Sequence, residues 1–290
     1  MHESAEVLAR GQGGPFAGPA GPALPGEPAE FRRFMAGSHP IALDDLAWEA
    51  VAAHPLSADV LKVLAYMQDV ESHTVVFPRT IFSRRAVDDE IVGTFLICWL
   101  YEEGMHGRAL ARFLAAAGHP LAPRERGRTT FMDSVDRAAT TVMAAVWKDF
   151  LALHMAWGAL HECTTIHAYR RLIRLNDHPV LNDLLERIIH DEARHFAFYM
   201  WQAQQRLARP GVARTVRRLM ERFYVPVGAS HQPDELACWV SGFLFDGDDG
   251  REAARRVDAT MAKLPGFADA SLLGDWLARR VYRQASRPGL

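Results

Sequence analysis

The chain has 290 residues, of which 49% are hydrophobic and 23% are charged, and its formal net charge is -2. These proportions are ordinary for a globular protein with a sizeable core, and they argue against a nucleic-acid-binding protein, which would carry a basic excess. The cysteines Cys98, Cys163 and Cys238 form no CxxC pair, so we expect no disulfide framework and a reduced, cytoplasmic setting. No apolar run reaches the roughly 20 residues that cross a membrane, so we predict no membrane span.

The elements predicted along the chain are all helical. Residues 1–35 are rich in Gly, Pro and Ala and read as a flexible tail, whereas residues 36–290 read as one helical domain. Apolar residues recur three and four apart from about residue 41 onward, which is typical of helices. We predict helices near 41–53, 57–76, 87–117, 130–175, 178–207, 211–223, 233–245, 250–263 and 270–285. The fold class is therefore all-α, with a core at about 57–207 and extra helices over 208–290.

Local residues account for the breaks between these helices. Gly118 and Pro120 end one long helix, and Asn176, Asp177 and Pro179 separate two others. The acidic segment 246–250 resembles a calcium loop but lacks its late Glu, so we interpret it as a turn between helices. Two of the helices are long, which favours a bundle with a metal or cofactor site between facing helices.

Two segments repeat the pattern acid-Glu-x-x-His. Residues 102–106 read Glu-Glu-Gly-Met-His, and residues 191–195 read Asp-Glu-Ala-Arg-His. Positions i and i+3 share one face of a helix, so Glu103 with His106, and Glu192 with His195, can each bind one ion. Apolar residues surround both pairs, and buried charges need partners or a metal. Carboxylates and imidazoles suit iron or manganese.

A pair of metal ions bridged by carboxylates also needs a Glu from each of two further helices. Glu162 and Glu192 are equally far from the break at 176–179, so they should face each other across an antiparallel hairpin. Glu71 is the candidate on the helix near 57–76. Its rival, Glu90, lies about 20 Å from Glu103 along the same helix and cannot share a metal with it.

In these segments the chain resembles the soluble acyl-carrier-protein desaturases of the ferritin-like diiron superfamily. The similar stretches are 102–107 (Glu-Glu-Gly-Met-His-Gly), 191–195 with Tyr199 after it, and Glu162 with Thr165. The resemblance covers roughly residues 60–205 and implies a ferritin-like four-helix bundle with additional packed helices. The ligands that it implies for two iron ions are Glu71, Glu103, His106, Glu162, Glu192 and His195.

The resemblance also implies roles for individual residues. Glu103 and Glu192 are expected to bridge the two ions. Glu102 and Asp191 are expected each to accept a hydrogen bond from a ligating His of the other half, which fixes the imidazole tautomer. Thr165 is expected on the O2 side of the site, as a catalytic residue. Manganese is the alternative metal.

The function implied is an O2-activating diiron oxidase that acts on an apolar, acyl-type substrate, free or bound to a carrier protein. An external electron donor and a homodimer are further expectations of the resemblance. One alternative is a diiron oxygenase of a biosynthetic pathway that oxidises an amine or hydroxylates an acyl chain. Another is iron or peroxide handling, as in ferritins and rubrerythrins. His190 and His167 are further candidate ligands, and Gly158 favours either a pocket or close helix packing.

Overall fold

The computed structural model describes residues 26–74, 89–121, 147–230 and 232–283. Within these segments the chain forms helices and no strand, so the prediction of an all-α fold is confirmed. The α-helices, in chain order, are α1 Ala29–Gly37, α2 Ala58–Thr74, α3 Glu90–Ala116, α4 Phe150–Arg174, α5 Pro179–Leu207, α6 Pro210–Phe223, α7 Asp234–Phe245, α8 Gly247–Met261 and α9 Leu272–Leu277. A 3-10 helix spans Trp48–Ala53, and a π-helical turn, Ala278–Tyr282, follows α9.

The ends of the long helices have local causes. At the start of α5, His178 accepts a hydrogen bond from the Leu181 backbone N–H through Nδ1 at 3.1 Å, and Pro179 occupies the first turn. Asp89 caps α3 in the same way, since its carboxylate accepts from the Val92 N–H at 3.1 Å. Gly118 lies just past α3 with a φ of +80°, a conformation that favours glycine. The predicted breaks at 118 and at 176–179 are therefore confirmed.

Three element predictions need correction. The tail predicted for residues 1–35 is wrong from Ala29 onward, because α1 forms there and buries Phe31 and Phe34. The helix predicted for 41–53 is reduced to the 3-10 segment Trp48–Ala53. The helix predicted for 130–175 begins only at Phe150, after a turn at 148–149. Residues 1–25, the part of that helix over 130–146, and the link at 78–85 lie outside the described residues.

Two helix pairs hold the centre of the molecule. Helix α4 packs along α5, α2 packs along α3, and α3 contacts α5. The first pair is antiparallel, since Glu162 lies beside Glu192 whereas Gly158, one turn earlier, lies against Tyr199, two turns later. Helix α1 packs on α3 and α5, while α6, α7 and α8 pack on α4. No helix in the described segments is both long and apolar enough to cross a membrane.

An aromatic layer fills the space between α1, α3 and α5. The rings of Phe95 and Phe198 stack with centroids 3.8 Å apart, and the edges of Phe34 and Tyr199 each pack on Phe95 at 4.8 Å. All four side chains are almost fully buried. These closely packed rings make that side of the helix pairs apolar.

Candidate metal centre

Four helices bring the six predicted ligands to one place. Glu71 comes from α2, Glu103 and His106 from α3, Glu162 from α4, and Glu192 and His195 from α5. Each is at most 5% exposed, although four carboxylic acids and two imidazoles would be well solvated on a helix surface. Six ionisable side chains buried in one place need partners, since an isolated buried charge is very unfavourable.

The six side chains form two overlapping groups of potential metal ligands. The first consists of Glu71, Glu103, His106 and Glu192, and the second of Glu103, Glu162, Glu192 and His195; within each group one ligand atom per residue lies within 4.8 Å of every other. Glu103 and Glu192 belong to both groups, as expected of two carboxylates between two ions. Each group then has one further Glu and one His of its own.

Hydrogen bonds on the far side of each imidazole set its orientation. His106 Nε2 lies 3.2 Å from Asp191 Oδ2, and His195 Nε2 lies 2.7 Å from Glu102 Oε2. Both Nδ1 atoms therefore face the carboxylates of the centre: His106 Nδ1 is 3.3 Å from Glu192, and His195 Nδ1 is 3.2 Å from Glu103. The contacts cross between halves, since the α5 acid meets the α3 His and the α3 acid meets the α5 His.

One guanidinium joins the two outer carboxylates. Arg194 Nη2 donates to Glu102 Oε2 at 2.9 Å and to Asp191 Oδ1 at 2.7 Å. Glu102 and Asp191 are 1% and 2% exposed, so this cation stabilises two charges that water does not reach. The same guanidinium thus contacts the hydrogen-bond acceptor of each imidazole.

Buried aromatic donors hold one oxygen of each non-shared Glu. The Tyr169 hydroxyl donates to Glu71 Oε1 at 2.5 Å, and the Trp99 indole N–H donates to Glu162 Oε1 at 2.9 Å. The other oxygen of Glu71, Oε2, faces His106 Nδ1 at 4.0 Å. Each donor thus leaves one carboxylate oxygen directed to the centre.

The buried acids divide into two electrostatic classes. Burial, and then the charge of Glu192, raises the pKa of Glu71, Glu103 and Glu162 above the usual carboxyl value. Burial also opposes ionisation of Glu192, but its contacts with His106 and His195 outweigh that effect and lower its pKa. The three acids with raised pKa values therefore retain protons in the metal-free protein more readily than exposed acids do.

Hydrogen bonds and burial act against each other on the two imidazoles as well. Burial favours the neutral ring of His195, but its hydrogen bond to Glu102 and the nearby carboxylates of Glu192 and Glu162 raise its pKa to about 10. The pKa of His106 is also well above its ordinary value, since Asp191 and Glu192 outweigh burial. Without a metal, these contacts favour the protonated form of both rings, whose charge compensates the surrounding carboxylates.

Three atoms at the centre lack a hydrogen bond of good geometry among the described residues. They are Glu103 Oε1, His106 Nδ1 and Glu192 Oε1, all without solvent contact. Unpaired buried polar atoms are uncommon and need an explanation. All three belong to the ligand groups, and each offers a cation an electron pair once it carries no proton, so the residues present fit a metal site.

The remaining sequence candidates lie in other positions. Thr165 is buried on α4, one turn beyond Glu162. The side chain of His190 is 47% exposed and contacts Asp191 from the outside, and His167 lies near three arginines; neither belongs to a ligand group. A Cβ at Gly158 would come within 2.4 Å of the Tyr199 ring, so this glycine permits close packing and does not open a pocket.

Sequence reasoning missed three residues of this network. Tyr169 is seven residues, or two turns, after Glu162, so helical spacing could have placed it on the same face. Trp99 lies four residues before Glu103, and in the sequence it looks like one more apolar residue of that helix. Ser38, whose hydroxyl donates to Glu102 Oε1, lies before the first predicted helix at 41–53, and no local pattern indicates its position.

No protein-family model, no curated protein and no solved structure matches this chain. The function is therefore inferred from the geometry of the site and from the resemblance of the segments 102–107 and 191–195.

Proposed function

We propose that the chain is an O2-dependent oxidase with a centre of two iron ions, held by Glu71, Glu103, His106, Glu162, Glu192 and His195. The observation that carries this proposal is the pair of overlapping ligand groups that share Glu103 and Glu192. Two separate sites would not share carboxylates, and a single site would not need two imidazoles on opposite sides. Both imidazoles also have the outer carboxylate that orients a ligating His.

We also infer a ferritin-like four-helix bundle formed by α2, α3, α4 and α5. The pairing of α2 with α3 and of α4 with α5, and the contact between α3 and α5, support this arrangement. A Glu from each of two helices and a Glu-x-x-His from each of the other two is the ligand plan of such bundles. Helices α6 to α9 then form the additional packed helices.

The ligand types accept both iron and manganese, so they do not decide between the two metals. We prefer iron because of the proposed reaction with O2. Bound iron would supply the redox chemistry with O2. The chain supplies geometry: Asp191 and Glu102 orient the two imidazoles through Nε2, and Tyr169 and Trp99 hold one oxygen of Glu71 and one oxygen of Glu162. The aromatic layer of Phe95, Phe198 and their neighbours excludes water from the α3–α5 side.

The proposed substrate is an apolar, acyl-type chain, free or bound to a carrier protein, and the proposed electron donor is an external protein or small molecule. This part of the proposal depends on the motif resemblance at 102–107 and 191–195. Thr165, buried one turn beyond Glu162, is the proposed residue on the O2 side. Its hydroxyl could donate or accept a proton near the reacting atoms.

Metal content is the direct test of this proposal. The metal-free protein is loaded with ferrous iron without oxygen, desalted and analysed for metal, beside a double variant Glu103→Ala, Glu192→Ala. We expect about two irons per chain in the wild type and almost none in the variant, because both ligand groups lose their shared carboxylates. Oxygen uptake by the loaded wild type with a chemical reductant then measures reactivity with O2.

A matched control is the double variant Glu90→Ala, Glu186→Ala, which removes one exposed Glu from each of the same helices, α3 and α5. It should retain the iron content of the wild type. Wild-type protein that binds no transition metal, or a Glu103/Glu192 variant that keeps its iron, would contradict the proposal.

A further inference from the structure

Helix α1 and the residue that follows it lie against the outer layer of the candidate metal centre. Ser38 is the C-cap residue of α1, and its hydroxyl donates a hydrogen bond to Glu102 Oε1. Glu102 is 1% exposed and lies 64 positions further along the chain. A segment from the start of the chain therefore reaches the carboxylate that orients His195.

The hydrogen bonds of Glu102 give the Ser38 contact its importance. Oε2 already accepts from His195 Nε2 at 2.7 Å and from Arg194 Nη2 at 2.9 Å. Oε1 accepts from the Ser38 hydroxyl. The last torsion of a Glu side chain has a broad, shallow energy profile, so hydrogen bonds on both oxygens are what hold the carboxylate in one plane. Loss of the Ser38 donor would leave a buried oxygen unsatisfied and that plane undefined.

The rest of α1 is shaped to bring Ser38 to this position. A Cβ on Gly37 would come within 2.7 Å of Arg194 Cδ, so the absence of a side chain lets the helix end approach that arginine closely. One turn earlier, the Phe34 ring lies under the Arg194 guanidinium at 5.8 Å and packs 6.3 Å from the His195 ring. Phe34 is 3% exposed and anchors α1 in the aromatic layer.

We propose that α1 is a strap that completes the outer hydrogen-bond layer of the centre, and that Ser38 is a positioning residue for His195 through Glu102. Its consequence for iron rests on the proposed function, whereas its consequence for the His195 ring holds in the metal-free protein as well. Ser38 belongs to neither ligand group. Its effect is to keep Glu102 in the plane that accepts from His195 Nε2, so that Nδ1 stays directed to the centre.

The test compares Ser38→Ala with Ser38→Thr, which keeps the hydroxyl, and with Ser230→Ala, an exposed serine distant in sequence from the site. The first readout is the nitrogen NMR spectrum of the His195 ring in metal-free protein at one fixed pH. The second is the dissociation constant for ferrous iron without oxygen, and thermal melting shows that each variant is folded. Changes in the outer layer of metal sites typically weaken metal binding about 10- to 100-fold.

We expect Ser38→Ala to shift and broaden the His195 ring signals and to weaken iron binding at least tenfold, while Ser38→Thr and Ser230→Ala stay near the wild type. Unchanged ring signals together with an iron affinity within twofold of the wild type would overturn the role of Ser38. If the wild type binds no iron, the proposed function fails, and the ring signals of the metal-free variants still decide whether Ser38 positions His195.

Discussion

At the scale of single residues, the oxygen atoms of Glu71 and Glu162 have divided roles. A buried aromatic donor takes one oxygen of each carboxylate: Tyr169 at Glu71 and Trp99 at Glu162. A hydrogen bond on one oxygen favours binding of a cation through the other oxygen of the same carboxylate. The donors therefore set how each Glu can bind, although neither donor is a ligand.

Tyr169→Phe tests this role at Glu71. The change removes one hydroxyl from a fully buried ring and leaves Glu71 Oε1 without its donor. We expect a stability loss of about 1–3 kcal/mol for the unsatisfied buried acceptor. We also expect about tenfold weaker binding of ferrous iron, as for other changes next to metal ligands. Urea unfolding of the metal-free protein and anaerobic iron titration measure the two effects.

Tyr66→Phe is the matched control. Tyr66 is also buried, and its hydroxyl donates to the Val227 backbone carbonyl at 2.6 Å, which is not part of the centre. It should lose stability by a similar amount and keep the iron affinity of the wild type. Equal iron affinity in Tyr169→Phe and Tyr66→Phe would assign Tyr169 a purely structural role.

These residues show how far sequence reasoning reaches at this scale. Glu103 with His106, and Glu192 with His195, could be predicted because each pair is local and follows helical spacing. Glu162 could be predicted because a hairpin relates it to Glu192 by counting from the turn. The partners of Trp99 and Tyr169 could not be predicted, since each side chain donates to a Glu on a different helix and that pairing depends on how the helices rotate about their axes.

At the scale of helices, one glycine sets the approach of α2 to α3. A Cβ on Gly107 would lie 2.6 Å from Ser72 Oγ, 3.1 Å from the Ser72 backbone N and 3.3 Å from Glu71 Cβ. The backbone of α2 at Ser72 cannot move aside as the tip of a side chain can. Gly107 therefore allows the contact that brings Glu71 beside His106.

Gly107→Ala should separate the two helices locally. We expect a stability loss of about 1–3 kcal/mol, typical of an extra methyl group in a packed interface. Iron binding should weaken with it, because Glu71 moves away from the centre. Gly104→Ala is the control one turn earlier on α3, where a Cβ would meet nothing within 4 Å. It should raise stability by about 0.5–1 kcal/mol, since alanine is a better helix former than glycine.

Urea unfolding and iron titration of both glycine variants check these expectations. A Gly107→Ala protein as stable as the wild type, with unchanged iron affinity, would show that α2 does not need this close approach.

The helix predictions failed where tertiary contacts outweigh local pattern. Helix α1 has only nine residues, and its two buried rings, Phe31 and Phe34, find their partners on α3 and α5. So short an apolar pattern, next to a segment rich in Gly and Pro, is not enough to predict a helix from the sequence. The breaks at Gly118 and at 176–179 were predictable because glycine and proline act on the backbone locally.

At the scale of the whole molecule, the fold holds an excess of acids in its interior. Glu71, Glu102, Glu103, Glu162, Asp191 and Glu192 are all at most 5% exposed. Among the described residues they contact one guanidinium, that of Arg194, and three imidazoles: the buried rings of His106 and His195 and the partly exposed ring of His190. Such a cluster lowers stability unless protons or cations compensate it. The fold and its proposed metal ions are therefore linked thermodynamically.

The pKa shifts give this linkage a direction with pH. The pKa of Glu71, Glu103 and Glu162 is raised by burial, and that of His195 is raised to about 10 mainly by Glu102 and the other carboxylates against burial. The folded metal-free chain therefore binds more protons than the unfolded chain between about pH 6.5, the ordinary pKa of His, and pH 10. The part of its stability that comes from these raised pKa values is fully present below that range and is lost as the pH rises through it.

Bound metal ions should counteract this decline of stability with pH, because the ions replace the protons. We expect the melting temperature of metal-free protein to fall between pH 6.5 and 9, and the increase in melting temperature caused by ferrous iron to grow over the same range, since fewer protons compete. Melting curves with and without iron, recorded without oxygen at several pH values, measure both slopes.

In Glu103→Gln, which keeps the side-chain shape but removes one ionisable carboxyl group, the iron-induced increase in melting temperature should nearly vanish, and the decline of stability with pH should be shallower. A metal-free stability that rises with pH over this range would mean that His106 and His195 are neutral in the folded chain. In that case the carboxylates around His106 and His195, including Asp191 and Glu102, would not keep the two rings protonated.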